Sequence, residues 1–296
     1  MTVPAEPVRE RHQSGRGRDT TYPPLPEPLQ GNVFDSHCHL DIRDGDEWLG
    51  VDEALELAHA VGVGGIVQVG CDLPSARWSV ATAQAHSDIV AAVALHPNEA
   101  PEIFATQGRK ALEDAWQEID GLAAESCVRS VGETGLDYFR TGPEGRDIQE
   151  ESFRRHIAMA KKHKKALMIH DRDAHDDVVR VLDDEGAPEV VVFHCFSGGP
   201  GLAQTCADRG WRMSFAGTVT FRNAQSLRDA LAVAPLELLL VETDAPFLAP
   251  TPFRGRPNAS YLIPHTLQAM ADVKQVPIGT LAEHIARNTR VAFGYF

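Results

Sequence analysis

A chain of 296 residues, 43% of them hydrophobic, can bury a sizeable core as one large domain or two small ones. Its formal net charge of −14, from 28 Lys and Arg against 42 Asp and Glu, argues against long, tight, non-specific nucleic-acid binding, which draws its affinity from basic side chains. Five cysteines (Cys38, Cys71, Cys127, Cys195 and Cys206) are scattered without a CxxC, which argues against a disulfide scaffold and fits a reducing cytoplasm; no apolar run approaches a membrane span.

Residues 1–32 carry scattered Arg and Glu and the cluster Pro23-Pro24-Leu25-Pro26-Glu27-Pro28, with no apolar segment of the secretory type. They are expected to form a flexible, Pro-rich leader ahead of a single domain spanning 33–296. Past the leader, eight short apolar runs read as strands: 33–37, 65–69, 89–95, 128–132, 166–170, 190–194, 212–216 and 238–242. Several are almost wholly apolar, as parallel strands covered on both faces should be. Helices are expected between them. Segment 52–61 opens on a capping Asp52, 75–86 follows Pro74, and 110–124 is longer. In 148–164, Phe153, Ile157 and Ala160 recur at helical spacing, and 173–185 stops at Gly186. Segments 199–209, 223–233 and 260–292, the last broken near Pro277, complete the series. The alternation predicts an α/β fold, a single-domain TIM (β/α)8 barrel. An open doubly wound sheet is the competing architecture, and no GxGxxG or P-loop motif follows an early strand to favour a nucleotide-binding version of it.

Polar groups then gather at the strand ends, where a barrel keeps its active face. The first run leads into Asp35-Ser36-His37-Cys38-His39-Leu40-Asp41, and strand alternation puts His37 and His39 on one face with Cys38 on the other. Glu133 follows the fourth run, His170 and His194 end the fifth and sixth, and Asp244 follows the eighth. Taken singly, each has an ordinary explanation as a turn acid or a hydrogen-bonded core histidine. Taken together, four imidazoles and two carboxylates at the ends of apolar strands would each cost free energy to bury without a partner. Imidazole with carboxylate suits Zn²⁺, Mn²⁺ or Fe²⁺ and, with more water, Mg²⁺. Six ligands exceed one tetrahedral catalytic site and fit two ions. The simplest division gives His37, His39 and Asp244 to one ion, His170 and His194 to the other, and Glu133 to both. Two ions about 3.5–4 Å apart lower the pKa of a shared water and clamp both oxygens of an in-line phosphoryl displacement. Asp244 can orient that water or accept its proton.

These stretches resemble the TatD family of metal-dependent deoxyribonucleases, in the metallo-dependent hydrolase superfamily. The resemblance covers 33–296 and rests on the first motif together with Gly132-Glu133-Thr134-Gly135-Leu136-Asp137-Tyr138, Ile169-His170-Asp171-Arg172-Asp173-Ala174, His194-Cys195-Phe196-Ser197-Gly198 and Glu242-Thr243-Asp244-Ala245-Pro246-Phe247-Leu248, which Arg254-Gly255-Arg256-Pro257-Asn258 extends. It implies a TIM barrel, two divalent cations (Mg²⁺, Mn²⁺ or Zn²⁺) and hydrolysis of DNA phosphodiesters, with 3′-to-5′ exonuclease activity in some members. The six proposed ligands match the family's metal positions, with Glu133 and Asp244 also catalytic. His96-Pro97 matches a family His-Pro segment and makes His96 a substrate-binding candidate, although its flanks, Ala94-Leu95 and Asn98, depart from the pattern. Asp171 also departs, standing where a smaller residue is expected before Arg172. Arg172, Arg254 and Arg256 are candidates for phosphate contacts, since arginine pairs with phosphate oxygens bidentately. Asn258 and Ser197 are candidate donors to substrate. Tyr138 and Phe247 could stack a base or pack in the core. Cys38 and Cys195, turned away by alternation, are expected to pack.

The expectation is a cytoplasmic two-metal hydrolase acting on DNA, as short or single-stranded ends, with no membrane association and no protein partner to infer. A second reading keeps the site and changes the bond: an amidohydrolase-like enzyme cleaving an amide, ester or phosphotriester. A carboxylated lysine at the fourth strand would favour that branch, and Glu133 stands there instead. A non-enzymatic binding protein on the same scaffold is disfavoured by the complete ligand set.

Overall fold

The structure, a computed structural model, describes residues 6–11, 17–44 and 48–296. Eight parallel strands pair in chain order: β1 Val33–Cys38, β2 Val63–Gly70, β3 Ile89–Val93, β4 Val128–Asp137, β5 Ala166–Arg172, β6 Val191–Phe193, β7 Arg212–Phe215 and β8 Leu239–Val241. The ring closes just past β8. There Cys38 bridges Ala245 in parallel, the Asp244 N–H donates to the His37 carbonyl at 2.9 Å, and the His39 N–H donates to the Ala245 carbonyl at 2.8 Å. Helices occupy the intervals: α1 Val51–Ala60, α2 Leu73–Ala85, α3 Glu99–Gln107, α4 Arg109–Ala123, α5 Pro143–His163, α6 His175–Glu185, α7 Pro200–Arg209, α8 Gln225–Val233, α9 Ile263–Lys274 and α10 Ile278–Phe293. This is the expected TIM barrel, in one domain. The sequence reading has no counterpart to α3, and it starts α5 five residues late because Pro143 takes the first helical turn, where a missing N–H costs nothing.

Strand alternation divides the core into two concentric layers. Val67, Val69, Val90, Ala92, Met168, Val192 and Leu240 form the inner one. Ile66, Ala91, Val93, Leu167, Ile169, Val191 and Phe193 belong to the outer layer, packed with the helices through Trp116, Phe153 and Leu112. Phe293 and Phe296 join the inner layer, and Phe296 stacks on Phe34 with ring centroids 4.6 Å apart, so the barrel end opposite the site is filled. At the site end one helix is held by a side-chain cap. Asp72 accepts from the Ser75 N–H at 2.7 Å and opens α2 directly after β2, a cap of about 1 kcal/mol.

Of the expected leader, residues 1–5 and 12–16 lie outside the described residues, and 17–32 hold no helix or strand. The described part lies against the barrel. Arg9–Glu10 pairs in parallel with Ile42–Arg43, the Tyr261 hydroxyl donates to the Pro23 carbonyl at 2.6 Å, and the Leu29 N–H to the Val61 carbonyl at 3.0 Å. Among the described residues no helix is long and apolar enough to cross a membrane.

Candidate metal centre and its pocket

The strand ends bring the six expected ligands into one cluster. His37 and His39, two residues apart on and just past β1, point their Nε2 atoms to within 3.2 Å of each other. Asp244, in the closing seam with φ +54°, places Oδ1 3.6 Å from His37 Nε2 and 3.5 Å from His39 Nε2. Across the barrel, Glu133 Oε1 is 2.5 Å from His170 Nδ1 and 2.9 Å from His194 Nε2. Its other oxygen, Oε2, looks back at the first group, 3.6 Å from His37 Nε2 and 3.9 Å from His39 Nε2. The His37 and His194 rings stack between them at 3.9 Å. Glycine makes the approach of β4 to β5 close enough. A Cβ on Gly135, which has φ +140°, would lie 2.1 Å from the His170 carbonyl oxygen.

The outer nitrogens fix which lone pairs face the centre. His39 Nδ1 lies 3.0 Å from the Val69 carbonyl and His194 Nδ1 3.2 Å from Glu242 Oε1. Both partners only accept, so Nδ1 keeps its proton and Nε2 is the nitrogen that would give up a proton on binding a cation. His170 is reversed: Nε2 meets Asp137 Oδ2 at 3.2 Å, which leaves Nδ1 facing Glu133. Backing of imidazoles by carboxylates and carbonyls is the usual support of metal-bound histidine. Burial would raise the Glu133 carboxyl, but the His194, His96 and His170 imidazoles hold it well below the ordinary range. Inward ring nitrogens and a buried carboxylate in this density fit a divalent cation. Within mutual ligand reach are His37, His39 and Asp244; His37, Glu133 and His194; His39, Cys71 and Glu133; and His96, Asp137 and His170.

Glu242 and Asp137 lie inside the quoted motifs, yet alternation says nothing of what stands behind a ligand, so sequence reasoning gave them no part. Glu242 is fully buried and also accepts from the Cys195 N–H at 2.8 Å. Glu242→Gln keeps the shape and removes the charge behind His194. It is expected to weaken metal affinity about tenfold to a hundredfold with the fold intact, as read by metal titration and circular dichroism.

Above the cluster opens a cavity of about 530 Å³, whose lining includes His96, Arg140, Arg172, Ser197 and Phe247. His96 Nε2 is 3.5 Å from Glu133 Oε1. Arg172 lies 3.9 Å over the ring of Phe139, an exposed side chain beside it. Its neighbour Tyr138 instead donates its hydroxyl to Asp177 at 2.8 Å. Ser197 spends its hydroxyl on the Asp171 carbonyl at 3.0 Å. Asp171 also lines the cavity and accepts from His175 Nδ1 at 2.7 Å. Arg254 and Arg256 are not brought to the cavity. Arg254 sits 4.4 Å over Phe221, and Arg256 donates to Thr21 and Tyr22 at 2.8–3.0 Å. Asn258 is buried and donates to the carbonyls of Thr243 and Phe247 at 2.9 and 2.6 Å, so it pins the loop that carries Asp244. Cys38 packs in the core, but Cys195 lines the cavity. β6 ends at Phe193 and Cys195 has φ +40°, so strand alternation no longer governs it. Arg9 and Arg140, which also line the cavity, carry no local sequence signal: Arg9 arrives through a two-residue strand pairing and Arg140 on the turn after β4.

Residues 34–294 match the family described as TatD related DNase. The chain is 43% identical over 270 residues to the uncharacterized metal-dependent hydrolase TatD of Mycobacterium tuberculosis, covering 88% of this chain and 98% of the relative. It is 36% identical over 263 residues to the uncharacterized metal-dependent hydrolase YabD of Bacillus subtilis, with the same coverage. Among solved structures, the TatD homologue YjjV of Escherichia coli superposes with a TM-score of 0.78 at 26% identity, covering 89% of this chain and 98% of the other.

Proposed function

The chain belongs to the TatD family of metal-dependent hydrolases, and on that premise we propose that it cleaves DNA phosphodiester bonds, trimming short or single-stranded ends in the 3′-to-5′ direction. The supporting observation is the placement of Glu133. One carboxylate turns its two oxygens toward two separate ligand groups, as a bridge between two cations requires. His37, His39 and Asp244 would hold one ion, His170 and His194 the other, with Glu133 shared; Mg²⁺, Mn²⁺ and Zn²⁺ all suit these donors. Such a pair supplies a water of lowered pKa and stabilises charge on the attacking and leaving oxygens.

The side chains supply the rest. Asp244 Oδ1 faces the histidines, and its second oxygen, Oδ2, takes the proton from the attacking water. His96, beside Glu133, donates to a phosphate oxygen or the leaving group. Arg140 and Arg172 offset phosphate charge at the mouth of a protein whose net charge is −14. The exposed Phe139 ring offers a base a stacking face.

The test strips the protein of metal, reloads it with Mg²⁺, Mn²⁺ or Zn²⁺, and presents end-labelled single-stranded DNA beside amide, ester and phosphotriester substrates. Metal-restored shortening of the DNA from one end is expected. Turnover of an amide, ester or phosphotriester with the DNA left intact would assign the site to the amidohydrolase-like branch.

A further inference from the structure

The described N-terminal segment is fastened to the barrel mouth by three arginines. Arg9 grips Asp41 with Nε at 2.6 Å and Nη2 at 3.1 Å. Arg11 reaches Asp44 at 3.1 Å and the Pro246 carbonyl at 3.3 Å, with its guanidinium 4.8 Å over the Phe247 ring. Arg18 clasps both oxygens of Asp44. The indole of Trp78 donates to the Glu6 carbonyl at 3.2 Å. Asp41 and Asp44 are fully buried, so two acids of the shared domain take cationic partners from a stretch ahead of the family match, which begins at residue 34.

Arg9 also lines the cavity over the metal centre. Its Nη2 stands 3.3 Å from His39 Nδ1, whose proton is directed to Val69, so the guanidinium lies against the ring without bonding it. Asp41 occupies the Nε and Nη2 edge. Nη1 makes no hydrogen bond among the described residues, and the side chain keeps a quarter of its surface exposed.

We propose that Arg9 is a substrate-phosphate contact of this site, supplied by a segment outside the domain shared with the family. The inference rests on the phosphodiesterase reading above. A guanidinium held along one edge by a carboxylate is oriented before substrate arrives and offers its remaining donors to a phosphate oxygen with little further ordering. Phosphate attraction in so acidic a chain has to be local, and among the described residues Arg9 joins Arg140 and Arg172 on the cavity wall.

The test uses full-length, metal-loaded protein and two probes, inorganic phosphate and a short single-stranded DNA oligonucleotide. Arg9→Met removes the charge. Arg9→Lys keeps it without the fork. Arg9→Met with Asp41→Asn removes both partners, so that no buried carboxylate is left unpaired. Both Met-containing proteins are expected to bind phosphate about tenfold more weakly at unchanged metal content, with the lysine variant between. On the oligonucleotide, KM rises while kcat holds, and the salt dependence of binding loses about 0.7 of a unit of slope, one single-strand phosphate contact. Unchanged phosphate affinity in the Met variants, recovery in the double variant, loss of metal alongside loss of phosphate, or a wild-type protein that binds no phosphate would each overturn the proposal. Arg9-dependent phosphate binding in a protein that leaves DNA intact would keep the contact and reject the phosphodiesterase reading.

Discussion

Glu133→Gln is expected to lower DNA turnover about a thousandfold or more while leaving the barrel folded. The carboxylate faces both ligand groups, with one oxygen 2.5 Å from His170 and 2.9 Å from His194 and the other 3.6 Å from His37. The amide keeps the volume but swaps one oxygen for an N–H donor, which cannot bind a cation and meets the inward imidazole nitrogens instead. It also removes a full negative charge from the centre of a cation site. Metal content measured by plasma mass spectrometry should fall together with activity, while the metal-free protein, which loses the pairing of Glu133 with His194 and His170, melts lower but keeps its circular dichroism. Wild-type metal content and turnover in this variant would remove the shared-carboxylate assignment.

The second large effect is a pH dependence whose direction changes with metal. In the metal-free protein, burial alone would depress the His194 imidazole, but Glu133 and Glu242 hold it well above the ordinary 6.5. His170 is raised likewise, with Asp137 and Glu133 outweighing burial. A group raised on folding adds stability below its unfolded pKa and loses it as pH climbs through the folded value. Glu133, held well below its ordinary 4.5, adds stability above that value and loses it as pH falls through the depressed one. His37, lowered by burial and by the His194 charge, runs against the other two histidines and offsets part of their effect. The metal-free protein should therefore be most stable between the ordinary carboxyl and imidazole values, 4.5 and 6.5. Metal demands neutral imidazoles, so loading expels the protons of His194 and His170. Below their raised pKa values, apparent affinity should drop about tenfold per pH unit for each proton released. Calorimetry in two buffers of different ionisation enthalpy counts those protons, and the metal-induced rise in melting temperature should be larger at about pH 8 than at about pH 6. A metal affinity flat across that range would show that the histidines enter the site already neutral.

All eight strands were legible because each centres on a short, largely apolar run set between helical segments, and burial on both faces leaves that mark in sequence. The same contrast exposed His170 and His194, which are charged or polar where apolar runs stop. Glu242 and Asp137 were equally close to those ends but stand behind other residues, and a supporting position is defined only by its partner in space. Arg254, Arg256 and Asn258 extend the Asp244 motif and carry donors that suit a phosphate or substrate, but residue type does not say where the loop takes them. The loop turns after Pro246, sends Arg256 to Thr21 and Tyr22, and uses Asn258 to hold its own backbone. Arg9 was hidden for the opposite reason: it is remote along the chain and arrives through a two-residue strand pairing.

The seam between the first and last strands has a consequence for biosynthesis. His37 and Asp244 meet where Ala245 closes the ring on Cys38, so the ligands span residues 37 to 244 of the 296-residue chain. A nascent chain still holding residues 240 onward in the ribosomal tunnel has made the histidines but not the pocket. The group that includes Asp244 is thereby completed only late in synthesis, and chains cut short upstream of the seam lack it.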